Sequence, residues 1–487
     1  MFDKNIYVER RRRLTNLLKS MSCNGVVLFP GNAEAPQNYR GNDYKFRQDS
    51  SFLYFWGLDE PMLAAAIDID NGTEKIYGDD VDIDDIVWMG PQESIASKAA
   101  SVGVDAASGG STGRYAELFD DMSKSKSSGR RIHFLPQSRY YNSILISRLT
   151  GCSPDDAYDR SLDGRGASPE LTKAVISMRI VKEDCEIEAI DRACDLGYEM
   201  HTVARRGCKA GVVEQSIVGN MEGVALGKGW GVSFATILSQ NGETLHNHSH
   251  SQIITPSRLL LVDAGVESNE HYASDFTRTY PCSGKFTDKQ REIYDIVQDA
   301  NDYAFSLCRP GIAYKEVHIS TVTRMMEGLK GLGIVNGDVS ELVAEGLGGL
   351  FMPHGLGHNM GMDVHDMEDF GEDHVGYDDN QYREGGVGLA NLRMARVLRP
   401  GHVITDEPGI YFIPALWNDF KQNGCGSMSG SDVISSVNFS LLESEYSHFG
   451  GVRLEDDVLI TSDGARRLGT KRLPILSKEV EQSMLSD

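Results

Sequence analysis

Apolar positions recur along this chain with two spacings, and the change from one to the other marks out its elements. In VKEDCEIEAIDRACDLGYEMHTVARR, residues 181–206, they fall at helical spacing and predict a long packing helix. A second helix is expected in FTDKQREIYDIVQDANDYAFSL, with Thr287 as its N-cap. Short apolar runs closed by turn residues predict strands: GVVLFPG and LAAAIDID early in the chain, RLLLVDAG at 258–265 and HVITDE at 402–407. Within HYASDFTRTY, Asp275, Thr277 and Thr279 share one strand face, so a hairpin can bring Asp275 to Asp263. In GGVRLEDDVLIT the charged Arg453, Glu455 and Asp457 alternate with Val452, Leu454 and Val458, giving one charged face and one core face.

The early part of the chain mixes strands with helix-like stretches, as an α/β domain does. SKSKSSGRR, residues 123–131, has the composition of a mobile surface turn. Arg10 to Arg13, set among Leu14, Leu17 and Leu18, read as part of an amphipathic surface helix. A length of 487 residues exceeds one ordinary core. SLDGRGASPE, residues 161–170, supplies a boundary rich in glycine, serine and charge, and divides the chain into domains over 1–168 and 169–487. Twelve of the thirteen histidines follow position 200, which puts the chemistry in the second domain.

Charge narrows the list of partners. A formal net charge of −23 argues against nucleic acid and anionic membranes, which would repel the chain. No apolar run is long enough to cross a bilayer, the first thirty residues lack a signal-peptide core, and eight scattered cysteines form no CxxC pair. The expected location is cytoplasmic, and no cysteine stands in a motif that suggests a nucleophile.

The candidate chemistry centres on MPHGLGHNMGMDVHD, Met352–Asp366, where His354, His358 and His365 lie close to Asp363 and Asp366. Gly355, Gly357 and Gly361 argue against a helix and for a strand or tight loop, in which residues 354, 356 and 358 point the same way. Asp263 ends an apolar strand, and an ionised carboxylate there needs a partner. Glu407 ends another strand beside the Pro408-Gly409 turn. Carboxylates gathered about 3–4 Å apart repel one another unless cations lie between them. Four carboxylates with one neutral histidine balance two divalent ions in formal charge. An oxygen-rich set with one nitrogen and no thiolate suits manganese or a similar hard ion. His246, in LHNHSHS with His248 and His250, reads as part of a solvated loop in preference to a separate metal site.

DAG…SD, HGLGH…DVHD, DEPGIYF and GVRLEDD, in that order, resemble the pita-bread metallopeptidases, specifically the branch that holds aminopeptidase P and prolidase. YKFRQDSSFLYFWGLDEP, residues 44–61, resembles the N-terminal domain of that branch, so the likeness covers nearly the whole chain. The resemblance implies an α+β protein: an α/β N-terminal domain, then a pita-bread domain whose antiparallel sheet is flanked by helices. It implies that Asp263, Asp275, His358, Glu407 and Glu455 bind two divalent metals, with Asp275 and Glu455 bridging. It assigns proton handling to Glu407, and substrate binding and transition-state stabilisation to His246, His354, His365 and Arg453. A structural ion pair with Glu455 is the alternative for Arg453. The expected activity is that of an Xaa-Pro aminopeptidase, acting on peptides with proline at position two as a dimer or tetramer. The alternatives are a dipeptide-restricted prolidase, which the insertion carrying NLRMARVLRPG resembles, and an inactive binding module. Asp406 stands where the family has a small or apolar residue, and alternation turns it away from the site. Trp88, in IVWMGP, is assigned to the N-terminal core, with a neighbouring subunit's active site as the alternative.

Overall fold

The computed structural model describes residues 1–378, 381–384, 388–423 and 431–485. It divides into one unit of Met1–Arg179 with Met367–His374, and another of Ile180–Asp366 with Val375–Asp487. The helix Pro169–Arg179 thus belongs with the first unit.

The first unit is built on β1 (Val26–Pro30), all five of whose residues are buried. β1 pairs antiparallel with β2 (Ala64–Asp68), which pairs antiparallel with β3 (Glu74–Tyr77). β4 (Ser111–Gly113) adds in parallel to β3 and β5 (Ile132–His133) in parallel to β1, giving the order β4-β3-β2-β1-β5. Three expectations are corrected here. The arginines of the helix Lys4–Ser20 are not all at the surface, since Arg10 and Arg11 are 1% and 0% exposed. The short helix Ser50–Trp56 leaves carbonyls at its C-terminal end without intrahelical donors, and these two guanidiniums supply them. Arg10 donates to the Tyr54 carbonyl and Arg11 to those of Phe55 and Val102, while Arg11 also pairs with Glu74 at 2.8 Å. Second, residues 123–127 are helical, because Leu118 and Met122 give Glu117–Ser127 a buried stripe; the turn begins only after them. Third, Trp88 is 87% exposed and forms no core. Its helix, Ile83–Met89, buries no residue and carries an Asp82–Asp85 capping box at its start.

The second unit opens with the expected helix, at Asp184–Gly207. Its strands are β6 (Gly231–Val232), β7 (Ile237–Ser239), β8 (Leu259–Ala264), β9 (Val266–Glu267), β10 (Phe276–Pro281), β11 (Val403–Asp406), β12 (Gly409–Tyr411), β13 (Gly451–Arg453), β14 (Asp456–Ile460) and β15 (Ala465–Arg467). They pair antiparallel in the orders β10-β8-β7, β11-β14-β15, β12-β13 and β6-β9. The helix Asp184–Gly207 packs on β8 and β10, and the helix Asp288–Leu307 on β11, β12 and β13. Leu260, Val262, Ile293, Val297, Met325 and Val458 lie in the core between them. The run from 450 to 461 is not one strand. It breaks between β13 and β14, which pair into different sheets, and at the break the Glu455 amide donates to the Thr277 carbonyl of β10 at 3.0 Å. No helix among the described residues is long and apolar enough to cross a membrane.

Thr287 caps the helix Asp288–Leu307, with its side chain accepting from the Gln290 amide and Gln290 answering in a capping box. Thr287→Ala is expected to cost about 1 kcal/mol of unfolding free energy and Thr287→Ser almost none. Urea unfolding followed by far-ultraviolet circular dichroism checks this, and equal midpoints for all three proteins would count against the cap.

Candidate metal centre

Three of the candidate ligands sit at a strand end or break, where a side chain can turn inward, one lies near the end of a paired strand and one in a loop. Asp263 is on β8, opposite Thr277 of β10, and Asp275 immediately precedes β10. Glu407 lies between β11 and β12, and Glu455 between β13 and β14. His358 comes from the glycine-rich loop, which runs beside β11 as an irregular strand. Thr405 and His358 exchange two hydrogen bonds, the Thr405 amide donating to the His358 carbonyl and the His358 amide to Thr405 Oγ1, each at 3.1 Å. Glu407 N–H donates to the Leu356 carbonyl at 2.9 Å. A β-carbon at Gly357 would lie 2.1 Å from the Thr405 carbonyl oxygen, so only glycine permits this approach.

Oxygen or nitrogen atoms of Asp275, His358 and Glu455 come within 4.8 Å of one another. His358 Nε2 is 3.4 Å from Asp275 Oδ2 and 3.8 Å from Glu407 Oε1. His358 Nδ1–H donates to the Asn359 carbonyl at 3.1 Å, which leaves Nε2 as the acceptor nitrogen facing the carboxylates. Buried Asp263 Oδ1 and Asp275 Oδ1 have no hydrogen-bond partner among the described residues. Burial first, then Glu455 and Asp263, raises Asp275 well above the usual carboxylate range; burial, then Glu407 and Asp263, does the same to Glu455. Burial pushes Glu407 up to about 7, against the pull of Arg453. Orphaned buried oxygens, repelling carboxylates and a single imidazole are the donor set of a hard divalent cation, and these residues fit one.

Around this centre lies a shell of hydrogen bonds. Arg453 donates to Asp263 Oδ2 at 2.5 Å, to Thr277 Oγ1 at 3.2 Å and to the Tyr411 hydroxyl at 2.8 Å. Its carboxylate partner in the structure is therefore Asp263. Tyr411 lies 2.8 Å from His354 Nε2, and His354 Nδ1 lies 2.7 Å from the Gly355 carbonyl. A carbonyl only accepts, so Nδ1 carries the hydrogen and Nε2 accepts from Tyr411. Burial, then Arg453, lowers His354 to about 3, so its ring is neutral. The His354 Nδ1 atom is 3.7 Å from Glu407 Oε2. His365 packs its ring 4.1 Å from that of His358, and Arg393 donates to His365 Nδ1, which places the ring hydrogen on Nε2. His246 is exposed, and the charges of Arg453, Asp263 and Arg393 reach it. Behind the centre, Asp457 Oδ2 accepts from the Asp275 amide at 2.9 Å and from the Cys194 thiol at 3.3 Å. Asp406 is buried, and neither of its carboxylate oxygens has a hydrogen-bond partner among the described residues.

Sequence reasoning missed Tyr411 and Arg393, and placed Asp457 on a charged strand face without its contact to the Asp275 amide. Tyr411 stands inside the DEPGIYF motif and Arg393 inside NLRMARVLRPG, but neither local pattern shows that the side chain reaches a histidine.

A family model described as metallopeptidase family M24 matches residues 188–462, and one described as aminopeptidase P, N-terminal domain, matches residues 7–130. The chain is 29% identical to a probable Xaa-Pro aminopeptidase, PEPP, of Uncinocarpus reesii, covering 97% of this chain and 93% of the relative. It is 28% identical to the Xaa-Pro dipeptidase of Homo sapiens, covering 98% of this chain and 93% of that one. Identity to the Xaa-Pro aminopeptidase of Escherichia coli is also 28%, with 98% of each chain covered. The solved structure of Escherichia coli aminopeptidase P with the inhibitor Pro-Leu matches with a TM-score of 0.76 at 26% identity, covering 100% of this chain and 99% of that chain.

The raised carboxyl groups give a signed expectation for the protein stripped of metal. Glu407 titrates at about 7 when folded against an ordinary value of 4.5, so the folded state keeps a proton that the unfolded state releases. Asp275 and Glu455 act in the same direction. The stability these carboxyl groups contribute to the stripped protein should be fully present below about pH 4.5 and be lost as pH rises through about 7. Manganese should abolish this slope. Urea midpoints in chelator and in manganese, from about pH 6.5 to about pH 8, where the buried histidines no longer contribute a slope, check it; a midpoint in chelator that rises with pH over that range would contradict the account.

Proposed function

We propose that this chain, which belongs to metallopeptidase family M24 and is a metal-dependent peptidase, is an Xaa-Pro aminopeptidase that releases the first residue of peptides with proline at position two. The observation that carries this reading is the buried grouping of Asp275, His358 and Glu455, with Glu407 3.8 Å from His358 and repulsion from Asp263 felt by Asp275 and Glu455. These five residues would hold two divalent cations, for which the hardness of the donor set favours manganese. Bound there, the cations supply Lewis acidity, polarising the scissile carbonyl and lowering the pKa of water so that a nucleophile is available near neutral pH.

The chain's own residues do the rest. Glu407 takes the proton of the attacking water and delivers it to the departing proline nitrogen. His365, with its hydrogen on Nε2, donates to the carbonyl oxygen as negative charge develops on it. His354, kept neutral and tied to Tyr411, holds its Nδ1 hydrogen beside Glu407 and contacts the substrate. Arg453 holds Asp263 in place and adds a fixed positive charge at the cleft, and His246 lines the exposed approach. Exposed Ile83, Val87 and Trp88 on one short helix support a dimer or tetramer. Scattered cysteines without a CxxC pair support a cytoplasmic location.

One observation favours a second reading. Arg393 sets a planar cation beside His365, suited to the terminal carboxylate of an Xaa-Pro dipeptide, as a dipeptidase requires.

Cleavage of Ala-Pro and Ala-Pro-Ala-Ala by stripped protein, with and without added manganese, separates the two. The aminopeptidase reading expects both to be cut after the first alanine only when manganese is present, and neither to be cut by His358→Ala. Cleavage of the dipeptide alone, with KM raised about 10- to 100-fold in Arg393→Ala, would move the assignment to dipeptidase. Manganese-bound, folded protein that cuts neither would overturn both.

A further inference from the structure

We propose that His318 is a positioning residue of the metal centre: its Nδ1 clamps the Leu356 amide and thereby fixes the spacing of His354, His358 and Glu407. The inference rests on the reading of His358 and Glu407 as ligands. His318 belongs to the helix Tyr314–Gly331, is 3% exposed, and accepts the Leu356 N–H at 3.2 Å. Leu356 is the middle residue of HGLGH, with a histidine two positions away on either side. Its carbonyl accepts from the Glu407 amide at 2.9 Å. One residue therefore joins the helix on its donor side to a candidate ligand on its acceptor side.

The neighbours of Leu356 make an external clamp necessary. Gly355 and Gly357 have the widest backbone freedom of any residue type, so the loop cannot hold its own shape. Tyr314, one helical turn before His318, donates to the Thr405 carbonyl at 2.6 Å, and Thr405 is the residue paired with His358. Residues four apart share a helix face. That face thus grips both rails of the centre, the loop through His318 and β11 through Tyr314. Accepting at Nδ1 demands a neutral ring with its hydrogen on Nε2. Burial lowers His318 to about 4, which keeps the ring in that form near neutral pH.

The test compares two substitutions in the full-length protein. His318→Asn places a carbonyl oxygen near the position of Nδ1 and keeps the acceptor, whereas His318→Leu keeps bulk and removes it. Should His318→Leu not fold, His318→Gln, whose acceptor lies one atom farther out, replaces it. In metal-free protein, amide hydrogen exchange over residues 354–360 should be faster than wild type in His318→Leu and restored in His318→Asn. Manganese affinity, measured by calorimetry, should fall about 10- to 100-fold in His318→Leu and recover in His318→Asn, with kcat following affinity. Wild-type exchange and affinity in His318→Leu would overturn the proposal, as would a His318→Asn protein equally impaired, since that pattern reports packing. Wild-type protein that binds manganese but cuts no Xaa-Pro peptide would defeat the proposed activity and leave this comparison intact. Wild-type protein that binds no manganese would defeat the ligand reading, and exchange alone would then decide the clamp.

Discussion

Carboxylates buried together repel one another, and the second unit is arranged around that repulsion. Asp263, Asp275, Glu407 and Glu455 come from four separate places in the chain, and bringing them together costs free energy unless positive charge accompanies them. Arg453 answers part of the cost by holding Asp263, and protons or cations must answer the rest. The flanking antiparallel sheets and helices supply the burial and hydrogen bonds that keep the strand ends from relaxing apart. A site of this kind is unfavourable by itself and becomes favourable when loaded, so its affinity for cations and its strain are one quantity.

The same logic explains three consecutive acids with three different fates. Glu455 sits at the break between β13 and β14 and faces the centre, where burial and other carboxylates raise its pKa. Asp456 points to the other side. Burial works against its charge there too, but Arg278 at 2.5 Å and Arg467 at 2.9 Å hold it below the usual range. Asp457 accepts the Asp275 amide and the Cys194 thiol, and burial outweighs the pull of Arg278 to raise its pKa well above the usual range. Fixed guanidiniums therefore neutralise the back of the strand, and exchangeable charge is left for the front.

The parts of this arrangement legible in the sequence are those written in local patterns. Asp263 at the end of an apolar run, Glu407 before Pro408-Gly409 and Thr287 before a helix each declare themselves within a few residues. The proximity of Asp263 and Asp275 is legible because a hairpin has few ways to close. What escapes is what depends on a distant partner. Alternation runs unbroken through Leu454 and Glu455, so nothing nearby shows that the chain changes sheets there; the cause is the Thr277 carbonyl. Arg10 and Arg11 look like solvated charges until the carbonyls of Tyr54 and Phe55 are placed beside them. Trp88 looks like core because tryptophan usually is, and its helix buries none of it.

The hydrogen bonds around the centre also fix the form of its histidines. A protonated imidazole at 358 would lose its acceptor nitrogen, and one at 354 would lose the lone pair that takes the Tyr411 hydrogen bond. Each ring is held by a bond that only one tautomer can make: His358 to the Asn359 carbonyl, His354 to the Gly355 carbonyl and Tyr411, and His365 under Arg393. Two of those partners are backbone carbonyls of the glycine-rich loop itself. The loop's shape therefore sets the tautomer of His354 and His358 as well as their position. That is why its conformation must be dictated from outside, by the close approach of Gly357 to β11 and by the polar face of the helix Tyr314–Gly331.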